Sequence, residues 1–532
     1  MKRIVILGAG TAGTMMANRL VRAIPDGWQV VLLDRDDRHL YQPGLLFLPF
    51  GTYREHDLVK PRTRLVDPRV VLMLAEIDRV APDERRVVLA DGESVPYDFL
   101  VVATGSRIVP EGLAGLTGEG WHRTAFDFYT LEGARALGRA LAEFRGGRVA
   151  IHIAEMPIKC PVAPLEMAFL VDAFFTQRGL RDKVELVYAT VLEGAFTKPV
   201  CSRLLGDKLV ERGITVIGDF AASEVDGAHR RLTSYDGRTV DYDLLITVPG
   251  HAGAELITRS GIGDGSGWVP THRHTLAVPG VPNAFAIGDA TDLPSSKAGA
   301  VAHFQSEVLT ENLLAAIADR APTASFDGHA NCFIETGFGK AMLIDFNYET
   351  EPLPGRFPLP GLGPFTLLEE KLGRVLREHR LGPNDGGQWF FTATRLDRPL
   401  QIAFEGVDVS LWIELEDRID RFLNQRDPQV RRVVVGIVVG RLRQAPSTVA
   451  QHQPRDREGG ESVGDRSPTR VRRQTLRGRP SRLNRSYRFP RTSGCGHDET
   501  TQQIRAARID DLNDQDGGRL SVSQHSPCEA TE

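Results

Sequence analysis

The chain has 532 residues, 41 % of them hydrophobic, and its 65 lysines and arginines nearly balance 69 aspartates and glutamates, leaving a formal charge of -4. That length supports two or three packed domains, and the balanced charge argues against a nucleic-acid surface. The five cysteines are too few for a secreted disulfide framework, and no apolar run approaches the ~18 to 20 residues of a membrane span.

Met1-Lys2-Arg3 before an apolar stretch has the outline of a secretory signal, but the glycines at 8, 10 and 13 explain that stretch better as strand, turn and helix. The amino terminus therefore reads as mature and cytoplasmic. Ile4-Val5-Ile6-Leu7 is a buried strand, a helix is expected from about Thr11 to Ala23, and Val30-Val31-Leu32-Leu33 is the next strand. The turn Gly8-Ala9-Gly10-Thr11-Ala12-Gly13 has the spacing of a dinucleotide site, with Asp34 closing the second strand. Gly8 permits the tight turn, Gly10 lets the backbone approach a pyrophosphate, Gly13 lets helix pack on strand, and Asp34 accepts a ribose hydroxyl.

Two later segments favour FAD over NAD. The apolar strand Phe99 to Val102, followed by Ala103-Thr104-Gly105, resembles the Ala-Thr-Gly element of flavoproteins with two dinucleotide domains. Phe285 to Asp289 resembles their second FAD motif, which implies that Gly288 makes the turn and Asp289 bonds the ribityl chain.

Between these segments a second strand-helix unit opens near Arg148. After Val149-Ala150-Ile151-His152-Ile153 a pyridine-nucleotide domain would place a glycine-rich turn, but here the connection reads Ala154-Glu155-Met156-Pro157-Ile158-Lys159-Cys160-Pro161-Val162-Ala163-Pro164. With three prolines and no glycine its backbone is unsuited to a pyrophosphate, and a thiol stands where a nicotinamide would lie. Further strands are expected at Val184 to Tyr188 and Leu244 to Val248. Cys201, after Thr197-Lys198-Pro199-Val200, sits at a helix start and reads as structural.

Asp292 to Ala300 follows the second FAD motif and opens a helix, which suits Lys297 to the flavin pyrimidine edge. A β-rich stretch from Ala330 to Phe346 carries Cys332. Phe338, Phe346, Tyr348, Phe357 and Phe365 are candidates for an apolar acceptor slot. From Arg374 to Glu532 there are 27 arginines and no lysine. The stretch from Arg455 to Arg491 is too polar to offset the ordering cost of ~1 to 2 kcal/mol per residue, so a disordered or non-native extension is expected, with Leu411 to Leu423 its most helix-like piece. Cys495 and Cys528 fall in it and receive no role.

From Lys2 to about Leu372 the chain resembles the sulfide:quinone oxidoreductases of the flavin disulfide reductase superfamily. The clearest passages are Tyr41-Gln42-Pro43-Gly44, Ile153 to Glu166, Gly288 to Gln305 and Ala330-Asn331-Cys332-Phe333-Ile334-Glu335. The resemblance implies that Cys160 and Cys332 flank the isoalloxazine ring and bridge through a disulfide or an additional sulfur. It also implies that Glu166 moves protons and that aromatics line a quinone site. Lys159 is a candidate cation for the thiolate of Cys160. A third cysteine, found in some members, is absent from Ala125-Phe126-Asp127-Phe128-Tyr129, which leaves the polysulfur product open.

The expected architecture is α/β with two Rossmann-like dinucleotide-binding domains. Residues 1–110 begin the FAD domain, 111–250 form the second domain with Cys160, and 251–325 return to the first. Residues 326–373 form a C-terminal redox and quinone region, and 374–532 are the arginine-rich tail. Catalysis is assigned to Cys160, Cys332, Glu166 and Lys159, and FAD to Gly8, Gly10, Gly13, Asp34, Ala103, Thr104, Gly105, Gly288, Asp289 and Lys297, with no metal. Sulfide and quinone are the expected partners, in a homo-oligomer peripheral to the cytoplasmic membrane face. Three alternatives stay open: a flavocytochrome c sulfide dehydrogenase-like flavoprotein, a type II NADH:quinone dehydrogenase, and a non-catalytic FAD redox sensor.

Overall fold

β1 (Lys2–Leu7) is apolar at every interior position because both of its faces are covered: Ile4 and Ile6 join one buried cluster, Val5 and Leu7 another. That is the signature of a central strand in a parallel sheet. The structure is a computed structural model and describes residues 1–354 and 367–369, with the backbone of short strands at Lys371–Leu372, Leu376–Glu378 and Phe391–Ala393. Phe357, Phe365, the helix expected over 411–423, Cys495, Cys528 and the rest of the arginine-rich tail lie outside the described residues.

After β1 come α1 (Thr11–Leu20), β2 (Trp28–Asp34), β3 (Val71–Leu74) and β4 (Phe99–Val102). The second unit comprises β5 (Ala125–Phe126), α2 (Leu131–Glu143), β6 (Gly147–Ile153), α3 (Ala163–Gln177), β7 (Val184–Thr190), α4 (Pro199–Glu211), β8 (Ile214–Ile217) and β9 (Leu244–Val248). The chain then returns through β10 (Ala284–Ala286) and α5 (Gly299–Ile317) and ends in a hairpin of β11 (Ala330–Gly337) and β12 (Lys340–Phe346). Among the described residues no helix is long and apolar enough to cross a membrane.

α1 stops at Leu20, three residues short of the expected end. Val21 caps it, and the amides of Ala23 and Ile24 fold back on the Leu20 carbonyl in a tightened last turn. Pro25 disfavours helical backbone at Ile24, so the helix cannot run further.

Both main sheets are five-stranded and parallel, in the orders β10-β4-β1-β2-β3 and β5-β9-β6-β7-β8. In the first the chain runs from β1 outward to β2 and β3, then crosses to β4 on the other side of β1. Such a switch point leaves a crevice at the carboxyl ends of β1 and β4, where doubly wound sheets take their ligands. β11 is the edge strand of a third sheet, pairing with β12 in antiparallel register with Cys332 opposite Ile344, and it packs against α3.

Candidate functional site

A cavity of about 1060 Å³ opens at that switch point and reaches β11. It is lined by the Gly8 to Ala12 turn, Asp34, Arg62, Ala103 to Ser106, Lys159, Cys160, Glu166, Asp289, Lys297, the start of α5 and the segment around Cys332.

The three glycines of the first turn do different work. A side chain on Gly13 would place its Cβ 1.8 Å from the Gly8 carbonyl oxygen, so Gly13 is what lets α1 lie on the turn. Gly8 has φ +94°, and its Cβ would meet the Ala103 carbonyl at 2.5 Å. Around Gly10, at the N-cap of α1, a Cβ would meet nothing within 4 Å: this is open space beside unpaired helix amides. The N-terminus of α5 lines the same space through Gly299 and Ala300.

At the outer end, Asp34 accepts the Ala9 amide at 2.7 Å and the Arg35 amide at 2.8 Å. It also pairs with Arg62 at 2.9 Å, while Arg62 Nε donates to the Ala9 carbonyl at 3.1 Å and its guanidinium reaches Asp36. Arg62, 8 % exposed, thus ties the glycine turn to the acidic strand end. It is a site residue that the sequence reading missed, because nothing around Pro61-Arg62-Thr63 signals burial. Thr104 Oγ1 and Ser106 Oγ are buried in the cavity wall and have no hydrogen-bond partner. An open glycine, two helix N-termini, a carboxylate at the end of β2 and two unpaired hydroxyls together fit a dinucleotide running along the cavity.

At the inner end Gly288, with φ +69°, donates its amide to Gln305 at 2.6 Å and turns the chain into Asp289. Burial raises the Asp289 carboxyl above its usual range, partly offset by Lys159 and Lys297. Lys297 lies in the loop before α5 and not within the helix. Its ammonium donates to the carbonyls of Thr291 at 2.5 Å and Asp289 at 3.3 Å and sits 4.1 Å over the Trp268 ring. Burial pulls it down to about 8.

The loop between β6 and α3 carries Cys160 in a left-handed conformation, φ +44°, which is uncommon for a residue other than glycine. It is held there from several sides. The Cys160 amide donates to the Lys297 carbonyl at 2.7 Å, and the Tyr129 hydroxyl donates to the Lys159 carbonyl at 2.9 Å and lies 3.4 Å from that of Cys160. The backbone is over-determined at the thiol, as is common where a reactive group must be aimed. Tyr129 therefore serves the loop from the Ala125 to Tyr129 stretch.

The Lys159 ammonium, expected beside the thiol, is directed to a backbone carbonyl. It is buried, donates to the Ser106 carbonyl at 3.3 Å, and its own pKa is lowered by burial. Burial, then Cys332 and then Glu166, pushes the Cys160 thiol well above its ordinary value. Cys332 on β11 is likewise raised to about 12, by burial first and then by Glu166 and Asp345. Both thiols line the one cavity. Glu166 in the first turn of α3 is buried, raised by that burial to about 8, and accepts the Glu335 amide of β11 at 2.9 Å. It thus braces the Cys332 strand against the helix that follows Cys160.

The aromatic candidates fall elsewhere. Phe346 packs on Phe196, Tyr348 on Phe326 and His274, and Phe338 sits on the hairpin turn under Arg212. None of these three lines the cavity; Phe47, Tyr53, Phe128, Tyr129, Phe304 and Phe333 do. Cys201 is buried at the start of α4, its thiol raised by burial and by Glu351.

Residues 2–306 match the pyridine nucleotide-disulphide oxidoreductase family. The chain is 28 % identical over 359 residues to a mitochondrial sulfide:quinone oxidoreductase of Mus musculus, covering 66 % of this chain and 79 % of that protein. It is 26 % identical to the corresponding Dictyostelium discoideum protein over 354 residues, 66 % of this chain and 78 % of the relative. The solved sulfide:quinone oxidoreductase of Aquifex aeolicus shares the fold at a TM-score of 0.58 and 21 % identity, over 65 % of this chain and 84 % of that one.

Proposed function

Because this chain belongs to the pyridine nucleotide-disulphide oxidoreductase family, we propose that it is an FAD-dependent oxidoreductase that oxidises sulfide at the Cys160/Cys332 pair and passes the electrons to a quinone. One observation carries the reading: two cysteines far apart in the sequence line the same cavity as the glycine turn and Asp289. The curated relatives in mouse and Dictyostelium bear the matching name.

In the oxidised form the two cysteines bridge. Sulfide attacks one sulfur of the bridge; the S–S bond breaks, a new S–S bond forms to the incoming sulfur, and the other cysteine leaves as thiolate. The persulfide gives up its proton and the thiolate closes on it, so the incoming sulfur ends between the two cysteines with the loss of two electrons. FAD held along the cavity supplies the carrier between sulfur and quinone. The balance is HS⁻ + quinone + H⁺ → S⁰ + quinol, and a further sulfide releases the sulfur as a polysulfide. Glu166, at about 8, exchanges the proton on the sulfur side near neutral pH. Asp289 and Lys297 hold the inner end of the cofactor, and Asp34, braced by Arg62, its ribose. A quinone acceptor is lipid-soluble, which favours peripheral docking on the cytoplasmic membrane face; a homo-oligomer completes the reading.

The β6–α3 loop distinguishes this reading from an NADH dehydrogenase. Lys159 and Cys160 are tied to Lys297 by a backbone bridge and by the Cys160 amide, the turn between Ala154 and Pro164 has no glycine to admit a pyrophosphate, and Cys160 itself lines the cavity. Mixed anaerobically in a stopped-flow instrument, sulfide is expected to bleach the oxidised flavin band within seconds, whereas NADH at the same concentration acts far more slowly. Fast bleaching by NADH would overturn the proposal. Absence of steady sulfide-dependent quinone reduction would point instead to a redox sensor.

A further inference from the structure

β11 is an edge strand with both faces on the cavity. Cys332 takes one face, and alternation puts Phe333 and Glu335 on the other, with Ala341 of β12 directly opposite Glu335; Cys332, Phe333, Glu335 and Ala341 all line the cavity. The open edge of the strand is where the Glu335 amide meets Glu166 Oε1 at 2.9 Å. Glu166, buried, therefore stands at the edge of the strand next to Cys332, and Glu335 on the face it shares with Phe333, partly open. Building on the sulfide-to-quinone reading, we infer that Glu335 is the proton donor on the acceptor side, the second member of a carboxyl pair with Glu166 that spans the Cys332 strand.

The chemistry requires such a group. Quinone takes up two protons as it becomes quinol, while hydrosulfide releases only one, so a proton must enter from solvent and reach an apolar slot. Phe333 and Ala341 give the wall beside Glu335 the character that a quinone ring needs, and partial exposure gives Glu335 contact with water. Burial raises Glu335 to about 7, which leaves it protonated for part of the time at neutral pH and suits a general acid. The titratable and charged groups on the elements packed around it are Glu166 and Asp172 of α3, Lys340 and Asp345 of β12, His303, Glu307 and Glu311 of α5, Cys332 on its own strand, and Arg212 at the end of α4, which donates to the Thr336 carbonyl at 3.2 Å. Of these, Glu166 feels the Glu335 charge, which helps to keep it protonated.

The test separates the two half-reactions of the holoenzyme. Glu335→Gln keeps the size of the side chain and leaves the backbone bond to Glu166 intact. Flavin reduction by sulfide is expected to stay within about twofold of wild type. Reoxidation of the reduced flavin by a soluble ubiquinone analogue is expected to fall by about 100-fold at pH 6, with its decline between pH 6 and 8 abolished. Glu335→Asp should be slower than wild type yet keep the decline. Unchanged reoxidation in Glu335→Gln, or an equal loss at every pH that leaves the profile intact, overturns the assignment; so does an equal fall in both half-reactions, which marks a packing role. If the glutamine variant fails to retain FAD, the aspartate variant decides, and a flat profile there overturns it. Failure of the underlying reading looks different, because wild-type flavin would then not be reduced by sulfide at all.

Discussion

Replacing Cys160 or Cys332 with alanine is expected to lower sulfide-dependent quinone reduction by ~1,000-fold while the purified proteins keep their FAD, a loss of ~4 kcal/mol of transition-state stabilisation. FAD should remain because the groups that fit it, the glycine turn, Asp34 and Arg62, do not involve either thiol. The requirement for both cysteines follows from their burial. Buried thiols raised to about 12 at Cys332, and well above the usual value at Cys160, are poor nucleophiles at neutral pH when reduced. Attack must therefore start from sulfide on the oxidised bridge, and a lone cysteine offers no bridge to attack. Cys201→Ser supplies the control: that thiol is buried on α4, away from the cavity lining, and turnover should stay near wild type. Wild-type turnover in both Cys160→Ala and Cys332→Ala would move the chemistry elsewhere in the molecule.

What could be read in the sequence was what depends on neighbours along the chain. The glycine turn, the apolar strands on either side of it and Asp34 follow from local spacing, and the structure places them at the switch point of a parallel sheet. A loop with three prolines and no glycine likewise differs from a nucleotide turn by composition alone. Contacts between distant segments were not legible. Arg62 reaches Ala9 across 53 residues, and only the packed structure shows a guanidinium buried there. Lys159 looked like a thiolate partner because it adjoins Cys160, yet its side chain is carried to Ser106 by the backbone turn. The three described aromatics chosen for the acceptor slot lie off the cavity for a similar reason: Phe346 packs on Phe196, Tyr348 on Phe326 and His274, and Phe338 sits under Arg212, while Phe333, which does line the cavity, was passed over. Glu335 becomes visible only once that strand is known to be an edge with the cavity on both sides.

Gly13→Ala and Gly10→Ala are expected to separate the folding of the first turn from its binding of the cofactor. The new methyl at residue 13 would lie 1.8 Å from the Gly8 carbonyl oxygen, and that oxygen cannot retreat: the Gly8 amide is bonded to the Leu33 carbonyl at 2.8 Å and the residue is wedged against Ala103. α1 must move off the turn instead. Overpacking of this kind costs ~1 to 3 kcal/mol, so the thermal midpoint of the FAD-stripped protein should fall, and FAD content should drop below about a tenth of wild type as the helix amides lose their aim. At residue 10 the methyl meets no protein atom within 4 Å, so the stripped protein should melt where wild type does. The space it fills is nevertheless the one assigned to the pyrophosphate, and FAD affinity should fall by at least about tenfold. Titrating FAD into both stripped variants, with melting curves beside the titrations, gives the two readouts. Wild-type FAD affinity in Gly10→Ala would show that the pyrophosphate does not lie over this turn, and the assignment of the whole cavity to the cofactor would have to be redrawn from the α5 end.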